Sequence, residues 1–191
     1  EIAIYSAHTN LDMHPEGVSR RMAEKLKLKR IRVLAPLKDK LLKLVTYVPE
    51  SHLDKLRESL FNAGAGVIGN YDRCGFASEG TGSFRAGKGS NPFVGEEGLV
   101  HFEKEVRFET ILLRHNKINV VRALLSAHPY EEPAFDIYSL ENDNINAGLG
   151  CVGELLSPMP EKEFLDHVSS VFSAEGMRYS KLTGRIISKV A

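Results

Sequence analysis

The sequence predicts an α/β protein in which a small domain interrupts an outer α/β domain. Between residues 42 and 140, strand-like and helix-like apolar patterns follow one another in the order β-α-β-β-α-β, which is the order of a ferredoxin-like unit. The segments on either side combine short β-branched runs with amphipathic helices. We therefore assign residues 1–40 and 142–191 to the outer domain and 41–141 to the insert.

The first segment predicts a strand, a loop and a helix. Residues 2–5 (IAIY) form a short apolar run that suits a buried strand. A helical stripe recurs every fourth residue at Val18, Met22 and Leu26. His8 and Asp12 lie between the two, in the kind of strand-to-helix loop where α/β proteins bind ligands.

The first half of the insert contains a strand at residues 42–48 and a helix from Leu53 to Phe61 that ends near Gly64. Ser51 and Asp54 resemble a capping box, with Asp in place of Glu or Gln. Residues 67–76 suggest a strand interrupted by glycine. The glycine-dense stretch 75–98 is expected to be a long loop, either functional or covering an edge or an oligomer contact.

The second half of the insert alternates apolar and polar residues over 104–113, as a half-buried strand does. A helix follows, with its stripe at Ile118, Val121, Leu124 and Leu125 and its end at Pro129. Residues 135–140 form the last strand of the insert.

The outer domain resumes with three glycines, Gly148, Gly150 and Gly153. Pro160 sits near the start of a helix, which Gly176 is expected to close. The stripe of this helix consists of Phe164, Leu165, Val168, Val171 and Phe172. Residues 184–191 predict a terminal strand.

Composition excludes several classes of protein. The 191 residues carry 25 basic and 25 acidic side chains and a formal net charge of zero, so bulk charge does not support nucleic-acid binding. The two cysteines form no disulfide framework, which favours a reducing cytoplasm. No apolar run approaches the roughly 20 residues that span a bilayer, so we expect a cytoplasmic protein without a membrane segment.

One stretch nearly matches a phosphate-binding P-loop. In GSFRAGKG, residues 82–89, Gly89 stands where the motif needs a hydroxyl. Asn91-Pro92 follows, so no helix N-terminus is available to face a phosphate. We therefore predict no P-loop here.

Two groups of polar residues are candidates for binding a cation. His128, Glu131 and Glu132 in HPYEEP could hold one, or the prolines could simply shape a turn with solvated charges. His8 and Asp12 could be metal ligands, or Asp12 could cap the next helix or turn. Zinc sites need three or four protein ligands, so two do not define a site.

Longer stretches resemble a known family. SAHTNLD, followed by an amphipathic helix, resembles the NIF-three-like family, whose members are also called GTP cyclohydrolase type 2 homologs. The insert is similar to that of the YqfO-like group and to PII and CutA proteins. The matching stretches are KLVTYVPESHLDKLRESLFNAGAGVIGNYDRC, GTGSF, NPFVG, AHPYEEPAFDIY and GLGCVGELLSPM.

The resemblance implies a dinuclear metal site and a toroidal homo-hexamer. In that family the Asp of HTNLD is a metal ligand that bridges two divalent ions (zinc, iron or manganese); Asp12 occupies this position and His8 lies beside it. The other family ligands are an upstream His-His pair and a downstream His-x-x-x-Glu; no adjacent His pair occurs in the 191 residues, and no His-x-x-x-Glu is found near their C-terminal end. We therefore expect a fragment lacking both ends, or a protein that has lost the site.

Three functional hypotheses follow. The first is a metal-dependent hydrolase resembling GTP cyclohydrolase, with catalytic residues and physiological substrate not assigned. In the second, the insert is a regulatory module that binds a metabolite or cation through His128, Glu131, Glu132 and residues 75–98 and gates the oligomer. In the third, the insert serves only as an oligomer contact.

Overall fold

The computed structural model describes residues 2–191, which divide into two compact units. The outer unit consists of the residues through Leu37 together with Asp143–Ala191, and the insert of Lys38–Asn142. No helix within residues 2–191 is long and apolar enough to cross a membrane. In chain order the elements are α1 (Thr9–Asp12), α2 (Val18–Lys25), β1 (Lys29–Leu37), β2 (Leu41–Pro49), α3 (Leu53–Asn62), β3 (Gly75–Arg85), β4 (Val100–Leu113), α4 (Lys117–Ala127), β5 (Phe135–Ser139), β6 (Asn144–Pro160), α5 (Glu161–Phe172) and β7 (Ile186–Val190).

The insert has the predicted β-α-β-β-α-β order and a four-stranded sheet in the order β3-β4-β2-β5. Every neighbouring pair of strands is antiparallel. The two β-α-β crossovers each skip one strand, which is the arrangement of a ferredoxin-like fold. The predicted fold class, a mixed α/β chain with a ferredoxin-like insert, is confirmed.

The core of the insert lies between α3, α4 and one face of the sheet. Alternate residues of β2 and β4 point to the helices, and their partners come from the helical stripes. Burying each such side chain contributes about 1.5–3 kcal/mol. The fully buried members include Leu44, Val48, Leu56, Leu60, Phe108, Val120 and Leu124.

The strand predicted at residues 67–76 is wrong, as is the loop predicted for the first part of residues 75–98. The paired strand is β3, which runs alongside β4 from the Gly75–Thr110 pair to the Arg85–Val100 pair. Gly75 packs so closely on the Phe108 ring that an added Cβ would lie 2.6 Å from it. Gly75 therefore reflects close packing within a strand, although glycine-rich sequence alone is usually taken to indicate a loop.

The start of α3 differs from the prediction, and its end agrees with it. A short 3₁₀ turn, Glu50–His52, leads into the helix, and Ser51 Oγ lies 3.0 Å from His52 Nδ1 instead of capping the helix. The predicted capping box is therefore absent. At the other end Gly64 adopts φ +96°, a left-handed conformation that glycine tolerates.

The outer unit contains a three-stranded antiparallel sheet in the order β1-β6-β7. Its core contains Ala23 of α2, Leu26 at the C-terminal cap of α2, and Leu155 of β6. The helix predicted after Pro160 is present as α5 and packs against this core. It ends at Phe172, followed by left-handed Ser173, and not at Gly176.

The predicted buried strand at residues 2–5 is wrong. These residues belong to no strand, and Ile2 and Ile4 are each 91% exposed. Apolar, β-branched residues form a strand only when a partner strand supplies hydrogen bonds, and within residues 2–191 none pairs with this segment. The strands β1 and β6 were not foreseen.

Two adjacent leucines on α4 test the core assignment. Leu124 is fully buried, whereas Leu125 is 51% exposed, although both belong to the stripe expected from the sequence. We expect Leu124→Ala to lower the free energy of unfolding by about 2–5 kcal/mol and Leu125→Ala to change it by about 0.5 kcal/mol or less. Urea unfolding followed by circular dichroism measures both, and equal losses would contradict this packing.

Candidate functional site

A groove of about 830 Å³ lies along the insert, on the sheet surface turned away from its helices. We call it the insert groove. Its floor is formed by β2, β3 and β4, one wall by residues 86–93 and the other by residues 130–134. The volume falls within the range of about 300–1,000 Å³ that is usual for small-molecule sites.

The floor is open because β3 places small residues there. Ser78, Gly80 and Gly82 alternate along the strand and line the groove. At Gly82 an added Cβ would lie 2.1 Å from a carboxylate oxygen of Glu105. Glycine at this position therefore leaves room for the Glu105 carboxylate.

An ion-pair cluster occupies the neighbouring part of the same surface. Glu109 accepts from Lys43 Nζ at 2.9 Å and from Arg107 Nη2 at 2.9 Å, and its side chain is only 16% exposed. Arg107 also lines the groove and shares Glu109 with Lys43. The groove carboxylates Glu105 and Glu132 form no ion pair within residues 2–191.

Aromatic rings form one corner of the groove. The centroid of Tyr130 lies 6.2 Å from that of Phe84 and 6.0 Å from that of Phe93. The Tyr130 hydroxyl is buried and makes no hydrogen bond of normal geometry within residues 2–191. Burial, then hydrogen bonding to the nearby Glu105 carboxylate, and then the charges of Glu105 and Glu103 raise the pKa of Tyr130 well above its usual range.

His128 lies behind the groove and fixes the wall that carries Tyr130. The Tyr130 backbone N–H donates to His128 Nδ1 at 3.1 Å, and Nε2 lies 2.8 Å from the Tyr47 carbonyl oxygen. Since Nδ1 accepts, the ring proton is assigned to Nε2, which donates to Tyr47. Burial lowers the pKa of this neutral imidazole. Further along the turn, the Ala134 carbonyl accepts from Thr46 Oγ1 at 2.9 Å, which anchors its other end.

The predicted ligand residues of the insert have different surroundings. Glu131 and Glu132 line the groove, and Glu131 Oε2 accepts from the Asn91 backbone N–H at 3.0 Å. This hydrogen bond joins the two walls. Both ring nitrogens of His128 already have protein partners, so binding through His128 would break one of these bonds.

The near match to a P-loop has no phosphate-binding geometry. Residues 82–85 belong to β3, and Ser90 donates back to the Gly87 carbonyl in a tight turn. No helix begins between residues 86 and 99. The sequence prediction that this is not a P-loop therefore agrees with the local structure.

In the outer unit, His8 is the N-cap residue of the short helix α1 and Asp12 is its last residue. His8 is exposed, and its Nδ1 lies 3.3 Å from Thr9 Oγ1. Asp12 is half-buried, forms no side-chain hydrogen bond or ion pair within residues 2–191, and caps neither α1 nor α2. No group of three His, Cys, Asp or Glu side chains in the described residues is placed to hold a metal ion. His8 and Asp12 therefore do not complete a dinuclear centre by themselves.

Sequence reasoning missed several groove residues. Glu105 and Arg107 lie on a strand that was predicted, and their period-two spacing already placed them opposite the buried face. Phe84 and Phe93 lie within residues 75–98, the segment that the sequence offered as a candidate for ligand binding. Neither ring was singled out, because the contacts that bring them to Tyr130 join segments distant in sequence.

The fold and the groove define a class: an α/β protein whose ferredoxin-like insert carries a groove on one face of its sheet. The model of the family described as Duf34/NIF3 (NGG1p interacting factor 3) matches residues 1–191, and the chain belongs to this family. The NIF-three-like resemblance seen in the sequence is thus confirmed.

Relatives and solved structures agree with this assignment. The chain is 45% identical over 192 residues to a GTP cyclohydrolase 1 type 2 homolog of Halalkalibacterium halodurans and 43% identical to that of Bacillus subtilis, in each case over 100% of this chain and 52% of the relative. A crystal structure of a Bacillus cereus protein related to NIF3 matches with a TM-score of 0.84 and 40% identity, over 98% of this chain and 50% of that one. The chain spans about half the length of these relatives.

The neutral state of His128 predicts a pH dependence of stability. Because burial lowers its folded-state pKa, the unfolded chain takes up a proton first as the pH falls through about 6.5. We expect the free energy of unfolding to decrease below that pH by at most about 1.4 kcal/mol per pH unit, until the folded-state pKa is reached.

Urea unfolding at about pH 7.5 and about pH 5 measures this slope. His128→Gln should flatten it, whereas the control His115→Gln, at an exposed position, should leave it unchanged. The assigned role of His128 is wrong if both variants keep the slope of the parent chain.

Proposed function

We propose that the protein binds two divalent metal ions, zinc, iron or manganese, and acts as a metal-dependent hydrolase. Asp12 would bridge the ions and His8 would lie beside them. The curated relatives carry the name GTP cyclohydrolase 1 type 2 homolog, and we extend a GTP cyclohydrolase-like reaction to this chain as part of the proposal.

The observation that carries this proposal is the unengaged carboxylate of Asp12. It is half-buried on a helical turn and has no hydrogen-bond or ion-pair partner within residues 2–191. A carboxylate can bind hard divalent cations and can bridge two of them. The described residues supply too few ligands for such a centre, so the proposal assigns the others to sequence outside these 191 residues. Two bound ions would supply Lewis-acid activation and a water molecule of lowered pKa.

Metal content per chain tests the role of Asp12. We expect the full-length protein to carry near two ions per chain, and Asp12→Ala to lose most of them because a bridging ligand contacts both. The matched control is Asp166→Ala, an exposed aspartate in the same unit. Elemental mass spectrometry with intact mass on the same sample gives the ratio. Full metal content in the Asp12 variant would disprove the assignment.

The insert groove supports a second function. We propose that the insert is a regulatory module that binds a small ligand with Glu131 and Glu132 on one wall and gates access within the oligomer. The supporting observation is that floor and both walls of the groove come from the insert alone. Saturable ligand binding that survives Asp12→Ala would separate this function from metal-dependent hydrolysis.

We further propose that the protein assembles as a homo-oligomer, a toroidal hexamer in the cytoplasm. Large apolar side chains on the insert, such as Phe76 at 62% and Phe102 at 68% exposure, are available for contacts between copies. Cys74 and Cys151 are both free thiols, which suits a reducing compartment. Native mass spectrometry of the full-length protein should give six times the chain mass; a monomer would refute the hexamer.

A further inference from the structure

We propose that the insert groove binds an organic cation, a compound with alkylammonium groups, between an aromatic corner and the Glu105 carboxylate. The inference rests on the proposed ligand-binding function of the insert and specifies the class of its ligand. It depends on three features of the groove: its aromatic wall, the balance of its charges, and a buried polar group left without a partner.

The aromatic wall suits a cation. Tyr130 stands between Phe84 and Phe93, with ring centroids 6.2 and 6.0 Å away, and all three residues line the groove together with Tyr47. Ammonium groups are attracted to the faces of such rings within about 6 Å of the centroid. The methylene groups of an alkylammonium chain would at the same time cover apolar ring surface.

The charges of the groove favour a positive ligand. Its carboxylates are Glu79, Glu105, Glu131 and Glu132, and its basic residues are Arg85, Lys88 and Arg107. Arg107 is already held by Glu109 at 2.9 Å. Arg85 and Lys88 belong to exposed positions where β3 ends and the 86–93 wall begins. Glu79, Glu131 and Glu132 are exposed as well, so the half-buried charge of the groove is the carboxylate of Glu105.

Glu105 and Tyr130 mark where the cation would be held. Gly82 leaves the space that the Glu105 carboxylate fills, and this carboxylate has no ion pair within residues 2–191. The Tyr130 hydroxyl is buried and makes no hydrogen bond of normal geometry in the same residues, and the Glu105 carboxylate lies close to it as an acceptor. An unpaired buried polar group costs about 1–3 kcal/mol. An ammonium donor would give both oxygens a partner.

The same groups argue against a metal ion and against an anion. No three His, Cys, Asp or Glu side chains in residues 2–191 converge to hold a metal, and aromatic faces are not ligands for hard cations. An anion would approach the Glu105 carboxylate and a phenol hydroxyl already surrounded by negative charge. A cation with an apolar chain satisfies the carboxylate, the hydroxyl and the rings together.

Isothermal titration calorimetry of the full chain with spermidine, a linear alkylammonium compound, tests the proposal. We expect saturable binding at one site per chain. Glu105→Gln should weaken it about tenfold or more, since a charge-assisted hydrogen bond is lost. Tyr130→Leu should weaken it about tenfold by removing the ring, whereas Tyr130→Phe, which keeps the ring, should cost only about threefold.

Controls separate this site from general attraction of charge. Glu141→Gln removes an exposed carboxylate of the insert outside the groove and should leave the affinity unchanged. Phe93→Leu alters a half-exposed ring of the wall, so it should weaken binding without unfolding the insert. An affinity that falls equally in the Glu141 variant, or equal binding of Mg²⁺, would overturn the proposal.

Two other outcomes would also overturn it, in distinguishable ways. Binding of ATP but not spermidine, lost in Tyr130→Leu, would preserve the ligand-binding function of the insert and refute the organic cation. If neither compound binds while Phe93→Leu changes the mass of the oligomer, the groove is a contact between copies. In that case both the organic cation and the ligand-binding function fail.

Discussion

The two-residue period of β4 is the constraint on which both the core and the groove of the insert depend. This strand is hydrogen-bonded to β2 on one side and to β3 on the other. Its even-numbered residues from Val106 to Leu112 are buried, and Phe108 and Leu112 pack in the core beside the helices. Its odd-numbered residues Glu105 and Arg107 line the groove. A slip of one residue would place carboxylates in the core and phenylalanine in the groove, so the packing that stabilises the insert also fixes its site.

The second wall of the groove depends on a histidine that does not line it. His128 connects the Tyr47 carbonyl of β2 to the backbone of Tyr130, and Glu131 connects the same turn to Asn91 across the groove. Two segments without regular secondary structure thereby take defined positions against the sheet. A neutral imidazole is needed for this, because a protonated Nδ1 could no longer accept the Tyr130 N–H. The geometry of the groove wall is thus coupled to a buried titratable group.

Sequence patterns correctly predicted the elements whose apolar periodicity matches the side chains that they bury in the structure. The strand at 42–48 and the helices α3, α4 and α5 have clear periodicity, and the structure contains them. The pattern failed for β3, where glycines needed for contact with Phe108 and Glu105 look like a loop. At residues 2–5 the pattern predicted a strand that is not formed, because the composition suits a strand but no partner strand pairs with it in the described residues. In both cases the deciding information lies in another segment of the chain.

The two candidate sites differ in what the chain itself supplies. Asp12 and His8 owe their proposed role to a family resemblance, and too few ligands surround them within the described residues to hold a metal ion. The groove needs no further element, because its floor, both walls and their connecting hydrogen bond belong to the insert. The glutamates of the HPYEEP turn and the segment 75–98 were predicted from sequence as candidates, and both line the groove. The aromatic corner was not, since it assembles through contacts between distant segments. A functional test of the groove can therefore be made on these 191 residues, whereas the proposed metal site needs ligands beyond those that the described residues supply.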